Sequence, residues 1–408
     1  MSGKGSDYTR RSFISTAATG LVSAGLVNFT PGKVFAQETE TPEGTKEKKL
    51  IYRTIGRTGL KVPIVSMGVM NSNNPEIVQA SYEEGIRHFD TAAYYQFGRN
   101  EQMVGSVINK LKVRDKVVIG TKNFIPQQRR GLTPEQSKTK LIEACEASLS
   151  RLGTDYVDIM YIHDVRDAET VADQGIIEGL KTLKQQGKVR STGLATHAAM
   201  ADVINAAVSG GFYDVVLTAI NFTMADDAGL LEAIKNAAAN GVGIVAMKAL
   251  AGGARWPNPQ SRRDYTSSTI ATAALKWVLR NESISTSIPG YTNYEHMRED
   301  FSVAYNLEYT EQEKKLLSDN NIKLSMGYCR QCNKCLATCP DGVDVPTLMR
   351  VHMYAAQYAN FKIARGTLDG IPARSSINVC RDCLECGAQC ANTVDIARRI
   401  DELKAMYC

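Results

Sequence analysis

Eight cysteines close to the C-terminal end of the sequence stand in two groups that share one internal spacing. Each group reads C-x₂-C-x₂-C-x₃-C, and Pro340 follows the first of them. The eight residues are Cys329, Cys332, Cys335, Cys339, Cys380, Cys383, Cys386 and Cys390. Three thiolates at this spacing can each bind a different iron of one cube, while the fourth ligand comes from outside the loop. The spacing therefore predicts two 4Fe–4S clusters.

The repeated run resembles that of bacterial two-cluster ferredoxins, in which the fourth cysteine of each run binds the other cluster. The resemblance implies one ligand set of Cys329, Cys332, Cys335 and Cys390, and a second set of Cys380, Cys383, Cys386 and Cys339. Zinc is the alternative, since it also accepts four thiolates, although zinc sites usually pair two separated C-x₂-C knuckles. The helical pattern of Val345–Phe361, between the two runs, predicts an α-helical module.

The two other cysteines stand apart from these runs. Cys145 is the only cysteine before Cys329, and Cys408 is the last residue. Such an uneven distribution does not fit a disulfide scaffold, which would spread cysteines through a small secreted domain. We predict a buried helix residue at Cys145 and a free thiol at Cys408.

Four polar residues form a second candidate site, because they follow three consecutive β-branched runs. Asp90, Lys122 and His163 each end one run, and Tyr95 lies in the loop after Asp90. A single Asp or Lys at a strand end is typical of a solvated rim, whereas four polar residues on three consecutive strand ends indicate a catalytic site. A phenol has a reference pKa of about 10, which a neighbouring ammonium is expected to lower. The group is suited to protonating a carbonyl, with His163 orienting its oxygen.

Eight β-branched runs alternate with amphipathic segments such as Ser137–Arg151, which predicts parallel strands joined by helices. The runs are Val65–Val69, His88–Thr91, Val117–Lys122, Val157–His163, Val189–Ala195, Val215–Asn221, Gly243–Lys248 and Ile284–Pro289. We predict an α/β fold, a (β/α)₈ TIM barrel, whose active site lies at the carboxyl ends of the strands. A doubly wound open sheet is the alternative, but its early glycine-rich turn is missing.

Several motifs resemble those of the aldo-keto reductases. They are Gly59-Leu60-Lys61-Val62-Pro63, Phe89-Asp90-Thr91-Ala92 followed by Tyr95, Gly98-Arg99-Asn100-Glu101, Ile162-His163 and Ile288-Pro289-Gly290. The resemblance extends over roughly Leu50–Leu317. It implies catalytic roles for Asp90, Tyr95, Lys122 and His163, a hairpin at Ile51–Val62 that closes the bottom of the barrel, and NADP(H) or NAD(H) across its rim.

The same resemblance implies which residues bind the nucleotide. Thr196 and Thr218 stand where many members of the family have Asn and Gln, and Met247 replaces an aromatic residue. The full set is Gly68, Thr196, Thr218, Met247, Lys248, Leu250, Gly290, Tyr291, Thr292, His296 and Glu299. The segment Met247–Gly253 fits a branch of the family that carries cluster-binding tails.

The first 36 residues resemble a bacterial twin-arginine signal. Arg10-Arg11 precedes an apolar stretch, Ala17–Phe29, and Val34-Phe35-Ala36 offers a cleavage point. The stretch is shorter than the ~20 residues that a membrane span requires, so we expect no stable span. Export of the folded chain to the periplasm suits a protein whose clusters are inserted in the cytoplasm. A chance arginine pair in a disordered start is the alternative.

The expected organisation is a signal at residues 1–36, a polar linker at 37–49, a barrel at 50–322 and an iron–sulfur module at 323–408. A net charge of +5 and the lack of a long basic run argue against a nucleic-acid partner. One functional hypothesis is a reductase of a small carbonyl, or a dehydrogenase of an alcohol. The other is an electron-transfer protein that has a redox protein partner and whose barrel serves as a binding scaffold.

Overall fold

Eight parallel strands form the centre of the computed structural model, which describes residues 49–124, 131–252 and 265–408. The strands of the chain are β1 (Tyr52–Thr54), β2 (Lys61–Pro63), β3 (Met67–Gly68), β4 (His88–Asp90), β5 (Val118–Asn123), β6 (Val157–Val165), β7 (Val189–Thr196), β8 (Val215–Ala219), β9 (Gly243–Met247) and β10 (Thr286–Ser287). From β3 to β10, each strand pairs with the next one along the chain. The prediction of eight parallel strands is confirmed, with ends that differ by a few residues. The signal and linker predicted for residues 1–48 lie outside the described residues.

The first and last strands of this sheet meet and close the barrel. The Ser66 amide donates to the Ser287 carbonyl at 2.8 Å, and the Gly68 amide donates to the Pro289 carbonyl at 3.0 Å. A Cβ at Gly68 would lie 2.6 Å from the carbonyl oxygen of Ile288. Glycine is therefore required here, because only a residue without a side chain allows this close approach.

Helices connect the strands and cover the outside of the barrel. Their bounds are α1 (Pro75–Glu84), α2 (Arg99–Leu111), α3 (Pro134–Leu152), α4 (Ala168–Val171), α5 (Gln174–Gln185), α6 (Met200–Gly210), α7 (Ala228–Ala239), α8 (Ser267–Leu279), α9 (Tyr294–Ser302), α10 (Glu311–Ser318), α11 (Asn320–Ser325), α12 (Val345–His352), α13 (Phe361–Asp369) and α14 (Ile396–Tyr407). Helix α3 begins with a capping box between Thr133 and Gln136, which satisfies two backbone donors. Its residue Cys145 is fully buried, as predicted. Within the described ranges, no helix has the length and apolarity needed to cross a bilayer.

A hairpin of β1 and β2 covers the amino ends of the barrel strands, as expected from the sequence. The Arg57 amide donates to the Gly241 carbonyl at 2.7 Å, and Arg57 Nε lies 3.1 Å from Asp214 Oδ1. Gly241 and Asp214 directly precede β9 and β8. The carboxyl ends of the strands, at the opposite rim, are therefore available for a site.

The C-terminal segment forms a separate apolar core from helices α12, α13 and α14. Residues 323–408, all of which are described, contain helices and no strand. The helical pattern of Val345–Phe361 is present in the structure as α12, which ends at His352, and a π-helical turn that continues it over Met353–Gln357; a break then precedes α13. The Asn360 side chain then caps α13 by accepting a hydrogen bond from the Ile363 amide at 3.1 Å. The break aims α13 across the rim of the barrel.

The helical tail packs directly onto this rim. Arg350 of α12 donates to both carboxylate oxygens of Asp164, at 2.8 and 3.2 Å, and all of these atoms are buried. Asn360 Nδ2 donates to Asn71 Oδ1 at 3.0 Å. On α13, a Cβ at Gly366 would lie 2.0 Å from the hydroxyl of Tyr94. The barrel and the tail therefore share one tightly packed interface, and residues Lys48–Cys408 form one compact unit.

We predict that Gly366→Ala destabilises the protein by about 1–3 kcal/mol, because the new methyl group displaces α13 from Tyr94. Gly210→Ala is the matched control, since a Cβ at this helix position meets nothing within 4 Å. The control is expected to be neutral or slightly stabilised. Urea unfolding of the anaerobically purified proteins measures both effects. Equal stabilities of the two variants would contradict this description of the interface.

Candidate active site

A cavity of about 910 Å³ lies between the rim of the barrel and the tail. Its volume is at the upper end of the range for small-molecule sites. The walls come from the ends of strands β4 to β9, from the segment that follows β10, and from helices α12 and α13. All four predicted catalytic residues line this cavity. The geometry thus joins two parts of the chain that are distant in sequence.

Asp90 and Lys122 form a buried ion pair at the floor of the cavity. Asp90 ends β4 and Lys122 lies near the end of β5, which pairs with β4 in parallel. The Lys122 ammonium donates to Asp90 Oδ1 and, at 2.7 Å, to the Thr91 carbonyl. Burial lowers the pKa of Lys122 and raises that of Asp90, while their mutual attraction opposes both shifts. The pair holds one ammonium in a fixed position beside the cavity.

Tyr95 lies on a short 3₁₀ segment, Tyr95–Gly98, directly after β4. Gln96 and Phe97 in this segment have φ angles of 52° and 56°, a left-handed conformation that costs free energy in residues other than glycine. The Lys122 ammonium lies 5.1 Å from the centroid of the Tyr95 ring. The predicted proximity of these two residues is therefore present in the structure.

The expectation that Lys122 lowers the pKa of Tyr95 is wrong. Burial raises the pKa of Tyr95 far above its usual range, and the negative charge of Asp90 raises it further. The physical reason is that a phenolate loses its hydration in this cavity, while the charge of Lys122 is balanced by Asp90. Tyr95 is consequently a protonated hydroxyl that can donate its proton to a ligand.

His163, near the end of β6, is buried and uncharged. Its ring stacks on Phe124 at 4.4 Å between centroids and meets the Tyr95 ring edge to face at 6.1 Å. Burial and the nearby charge of Lys122 lower the pKa of His163 to about 3. Nδ1 of the ring is buried and has no partner among the described residues. A neutral imidazole beside Tyr95 can donate a hydrogen bond to a carbonyl oxygen.

Asp164, which the sequence analysis missed, lies beside His163 in an irregular part of β6. Regular pairing of β6 with β7 is interrupted between Ile162 and Val165, and Asp164 has a φ of 56°. In a regular strand, neighbouring side chains point to opposite faces, yet both His163 and Asp164 line the cavity. Two neighbouring cations, Arg350 and Arg166, hold the pKa of Asp164 well below its usual range. A strand pattern gives no signal for such a bulge.

Most of the predicted nucleotide-binding residues also line the cavity. They are Gly68, Met247, Lys248, Leu250, Gly290, Tyr291, Thr292 and His296. Thr196 and Thr218 do not line it, because their neighbours Ala195 and Leu217 face the cavity and side chains alternate along a strand. Glu299 lies on α9, beyond His296, and is likewise not part of the wall.

The tail contributes aromatic and charged side chains that the sequence analysis did not connect with the barrel. Arg350, Tyr354 and Tyr358 all line the cavity, and their spacing of four residues could have indicated one shared helix face. The Lys248 ammonium lies 4.6 Å from the Tyr354 ring centroid and 5.2 Å from that of Tyr358. Burial and the charge of Arg350 lower the pKa of Lys248 to about 7.

The predicted cluster ligands fall into two neighbourhoods in the tail. The first four, Cys329, Cys332, Cys335 and Cys390, line one small cavity. In the second neighbourhood, burial and the nearby thiols of Cys383, Cys339 and Cys386 raise the pKa of Cys380 to about 11. The structure therefore groups the cysteines in the same two sets as the ferredoxin resemblance.

Polar groups surround the first set of thiols. The Gln331 side chain donates to Cys329 Sγ at 3.3 Å, and the Asn392 amide donates to Cys390 Sγ at 3.2 Å. Within the described ranges, no three His, Cys, Asp or Glu side chains are arranged to hold a single metal ion. A 4Fe–4S cluster has a different requirement, since each of its thiolates binds a separate iron.

Comparisons with known proteins agree with the barrel. Residues 67–267 match the model of the aldo/keto reductase family. The chain is 27% identical to the L-galactose dehydrogenase of Arabidopsis thaliana over 66% of this chain and 93% of that protein. It is 30% identical to the versiconal hemiacetal acetate reductase of Aspergillus parasiticus over 40% of this chain and 57% of that protein.

A solved structure extends this agreement to the fold. The aldo-keto reductase AKR11C1 of Bacillus halodurans, in its holo form, aligns with 66% of this chain and 95% of its own length. The TM-score is 0.54 at 21% identity, a likeness that concerns the fold alone. The match of residues 67–267 to the family model shows that the chain carries an aldo/keto reductase family domain, and its dehydrogenase and reductase relatives indicate an oxidoreductase of this type.

Proposed function

We propose that the chain reduces the carbonyl group of a small molecule with NADP(H) or NAD(H), or oxidises the corresponding alcohol in the reverse direction. The observation that carries this proposal is the arrangement of Asp90, Tyr95, Lys122 and His163 around one buried cavity. The walls of the same cavity contain most of the residues expected to bind the nucleotide. A substrate and a nucleotide that share this cavity are held close to the same catalytic group.

The chemistry of the four residues suits reduction in particular. Bound nicotinamide supplies a hydride, which carries two electrons to the carbonyl carbon. The carbonyl oxygen gains negative charge as this happens, and the protonated Tyr95 hydroxyl donates a proton to it. The neutral imidazole of His163 orients the oxygen toward Tyr95, and Lys122 supplies positive charge beside the ring. Hydride and proton together convert C=O to CH–OH.

The segment after β10 and the end of β9 fit a nucleotide. Gly290, Tyr291, Thr292 and His296 lie along one side of the cavity, and Met247, Lys248 and Leu250 lie near its floor. Gly68 and Gly290 leave the wall free of side chains where β3 and β10 meet. These residues would hold the dinucleotide along the rim of the barrel.

We predict that Tyr95→Phe lowers kcat for the reduction of 4-nitrobenzaldehyde by NADPH about 10²- to 10⁴-fold, because the general acid is lost. Tyr213→Phe is the matched control. It removes a hydroxyl that donates to the Val171 carbonyl, away from the cavity, and is expected to keep the wild-type rate. If the wild type binds neither NADPH nor NADH at millimolar concentration, the reductase proposal fails and the electron-transfer alternative is favoured.

The cysteine sets support a second part of the proposal, namely two 4Fe–4S clusters in the tail. Cys329, Cys332, Cys335 and Cys390 would hold one cluster, and Cys380, Cys383, Cys386 and Cys339 would hold the other. The donor set fits, since four thiols surround each site and hydrogen bonds reach two sulfurs of the first set. Such hydrogen bonds tune the reduction potential of a cluster.

We predict that the anaerobically purified protein contains about eight irons per chain, and that Cys335→Ser lowers this number toward four. The variant removes one ligand of the first set and leaves the second set complete. Cys408→Ser is the control, because this exposed thiol belongs to neither set, and its iron content is expected to equal that of the wild type. Unchanged iron content and visible absorbance in Cys335→Ser would overturn the assignment, and zinc in place of iron would favour the zinc alternative.

A redox protein partner fits the outer side of the tail. Leu384, between Cys383 and Cys386 in the chain, has a fully exposed side chain. An exposed apolar residue beside a proposed cluster offers a contact for a protein that exchanges single electrons. This feature is what favours the electron-transfer hypothesis as the second candidate function.

We further propose that the twin-arginine sequence at Arg10-Arg11 exports the folded protein to the periplasm. Insertion of clusters before export is compatible with a pathway that carries folded proteins. We predict that replacing both arginines by lysine retains the full-length precursor in the cytoplasm, as measured by fractionation and immunoblotting. Replacement of Lys48 and Lys49 by arginine serves as a control outside the motif. Undiminished export of the twin-lysine variant would disprove the assignment.

A further inference from the structure

The positive charges that line the active-site cavity are balanced unequally. Three cations have carboxylate partners, and these pairs are Lys122 with Asp90, Arg350 with Asp164, and Arg365 with Asp369. Lys362 lies over the ring of Phe97 near the mouth of the cavity. Lys248 likewise has no carboxylate partner among the described residues, but its ammonium, unlike that of Lys362, has lost its hydration through burial.

The contacts of Lys248 are aromatic. Its ammonium lies over the rings of Tyr354 and Tyr358, at 4.6 and 5.2 Å from their centroids, and 3.4 Å from the Tyr354 hydroxyl. Ring faces attract a cation, but they do not neutralise its charge. They also keep water away from the ammonium, which strengthens its attraction to any anion that enters the cavity.

Lys248 also borders a second, smaller space, which contains the side chain of Cys329. Arg350 and Arg399 border the same space. Burial lowers the pKa of Arg399, and the side chain of Cys329 opposes this shift, so Arg399 is a cation on which Cys329 acts electrostatically. The charges that act on Lys248 are instead those of Arg350 and Lys122, on the side of the active site.

We propose that Lys248 binds an anionic group, a carboxylate or a phosphate, of the molecule that occupies the active-site cavity. This inference rests on the proposed function, because it specifies the class of ligand for the same site. Two sources have this chemistry: a carbonyl substrate that carries a negative charge, and the phosphates of the dinucleotide. In either case, the tail completes the site, because Tyr354 and Tyr358 position the ammonium that the barrel provides.

The backbone at Lys248 supports a fixed role for this side chain. Lys248 has a φ of 58°, and its carbonyl accepts hydrogen bonds from the Ala251 amide and from Asn221 Nδ2. A left-handed conformation is unfavourable for a residue with a long side chain. Here it follows directly after β9 and turns the side chain toward the tail, where the two rings hold it.

The test compares two aldehydes of nearly equal shape, 4-carboxybenzaldehyde and the uncharged 4-nitrobenzaldehyde, in the holoprotein and in Lys248→Met. Steady-state kinetics give KM and kcat for each aldehyde, and calorimetry gives the binding constants of both aldehydes and of NADPH. Lys248→Arg keeps the charge and is expected to retain much of the affinity. Lys235→Met removes an exposed charge on α7 and is the matched control.

If the anion belongs to the substrate, Lys248→Met weakens the binding of 4-carboxybenzaldehyde roughly 10- to 100-fold more than it weakens the binding of the uncharged 4-nitrobenzaldehyde. If the anionic group belongs to the nucleotide, the same variant weakens the binding of NADPH by a similar factor and changes the binding of the two aldehydes equally. Unchanged binding of all three molecules would overturn the proposal. If the wild type reduces neither aldehyde, the reductase proposal fails by itself, and the calorimetric titrations still decide the role of Lys248.

Discussion

The buried ion pair between Asp164 and Arg350 is the interaction on which the active-site cavity depends. Asp164 follows His163 directly and adopts a left-handed conformation, while Arg350 of the tail binds both of its carboxylate oxygens. Removing one partner of a buried pair typically costs about 3–5 kcal/mol, because the other charge is left without compensation. One short stretch of β6 therefore positions a catalytic imidazole and anchors the tail that covers it.

This cover determines the protonation state of the site. Under the tail, burial lowers the pKa of His163 and of Lys248 and raises that of Tyr95. Each of these shifts favours the uncharged form, as expected where water is excluded. Burial shifts the pKa values of Lys122 and Asp90 in the same sense, but each of these two groups opposes the shift of the other because their charges attract. The cavity thus contains a protonated phenol and a neutral imidazole beside a paired ammonium, which favours proton donation to a carbonyl over proton removal from an alcohol.

The sequence allowed the barrel to be predicted because its strands are local patterns of β-branched residues. It also allowed the four candidate catalytic residues to be grouped at one rim, because each lies at a strand end or in the loop that follows. The two cysteine sets were implied by the resemblance of the runs to those of two-cluster ferredoxins. What could not be predicted depends on contacts between distant segments. The bulge at Asp164 and the position of Tyr354 over Lys248 exist only because two surfaces meet. The same holds for the pKa of Tyr95, whose direction depends on burial by a tail more than two hundred residues away in the chain.

The position of the tail also bears on how its proposed clusters relate to hydride chemistry. His197, Lys248 and Arg350 separate the active-site cavity from the space beside Cys329, so the first cysteine set lies close behind the catalytic wall. A hydride moves two electrons at once, whereas each 4Fe–4S cluster accepts one, and the usual adaptor between the two is a flavin. The tail also closes the cavity and contacts Lys248 through two tyrosines, and neither of these roles requires a flavin. The packing therefore makes the tail a wall of the active-site cavity, and this role does not depend on electron transfer by the proposed clusters.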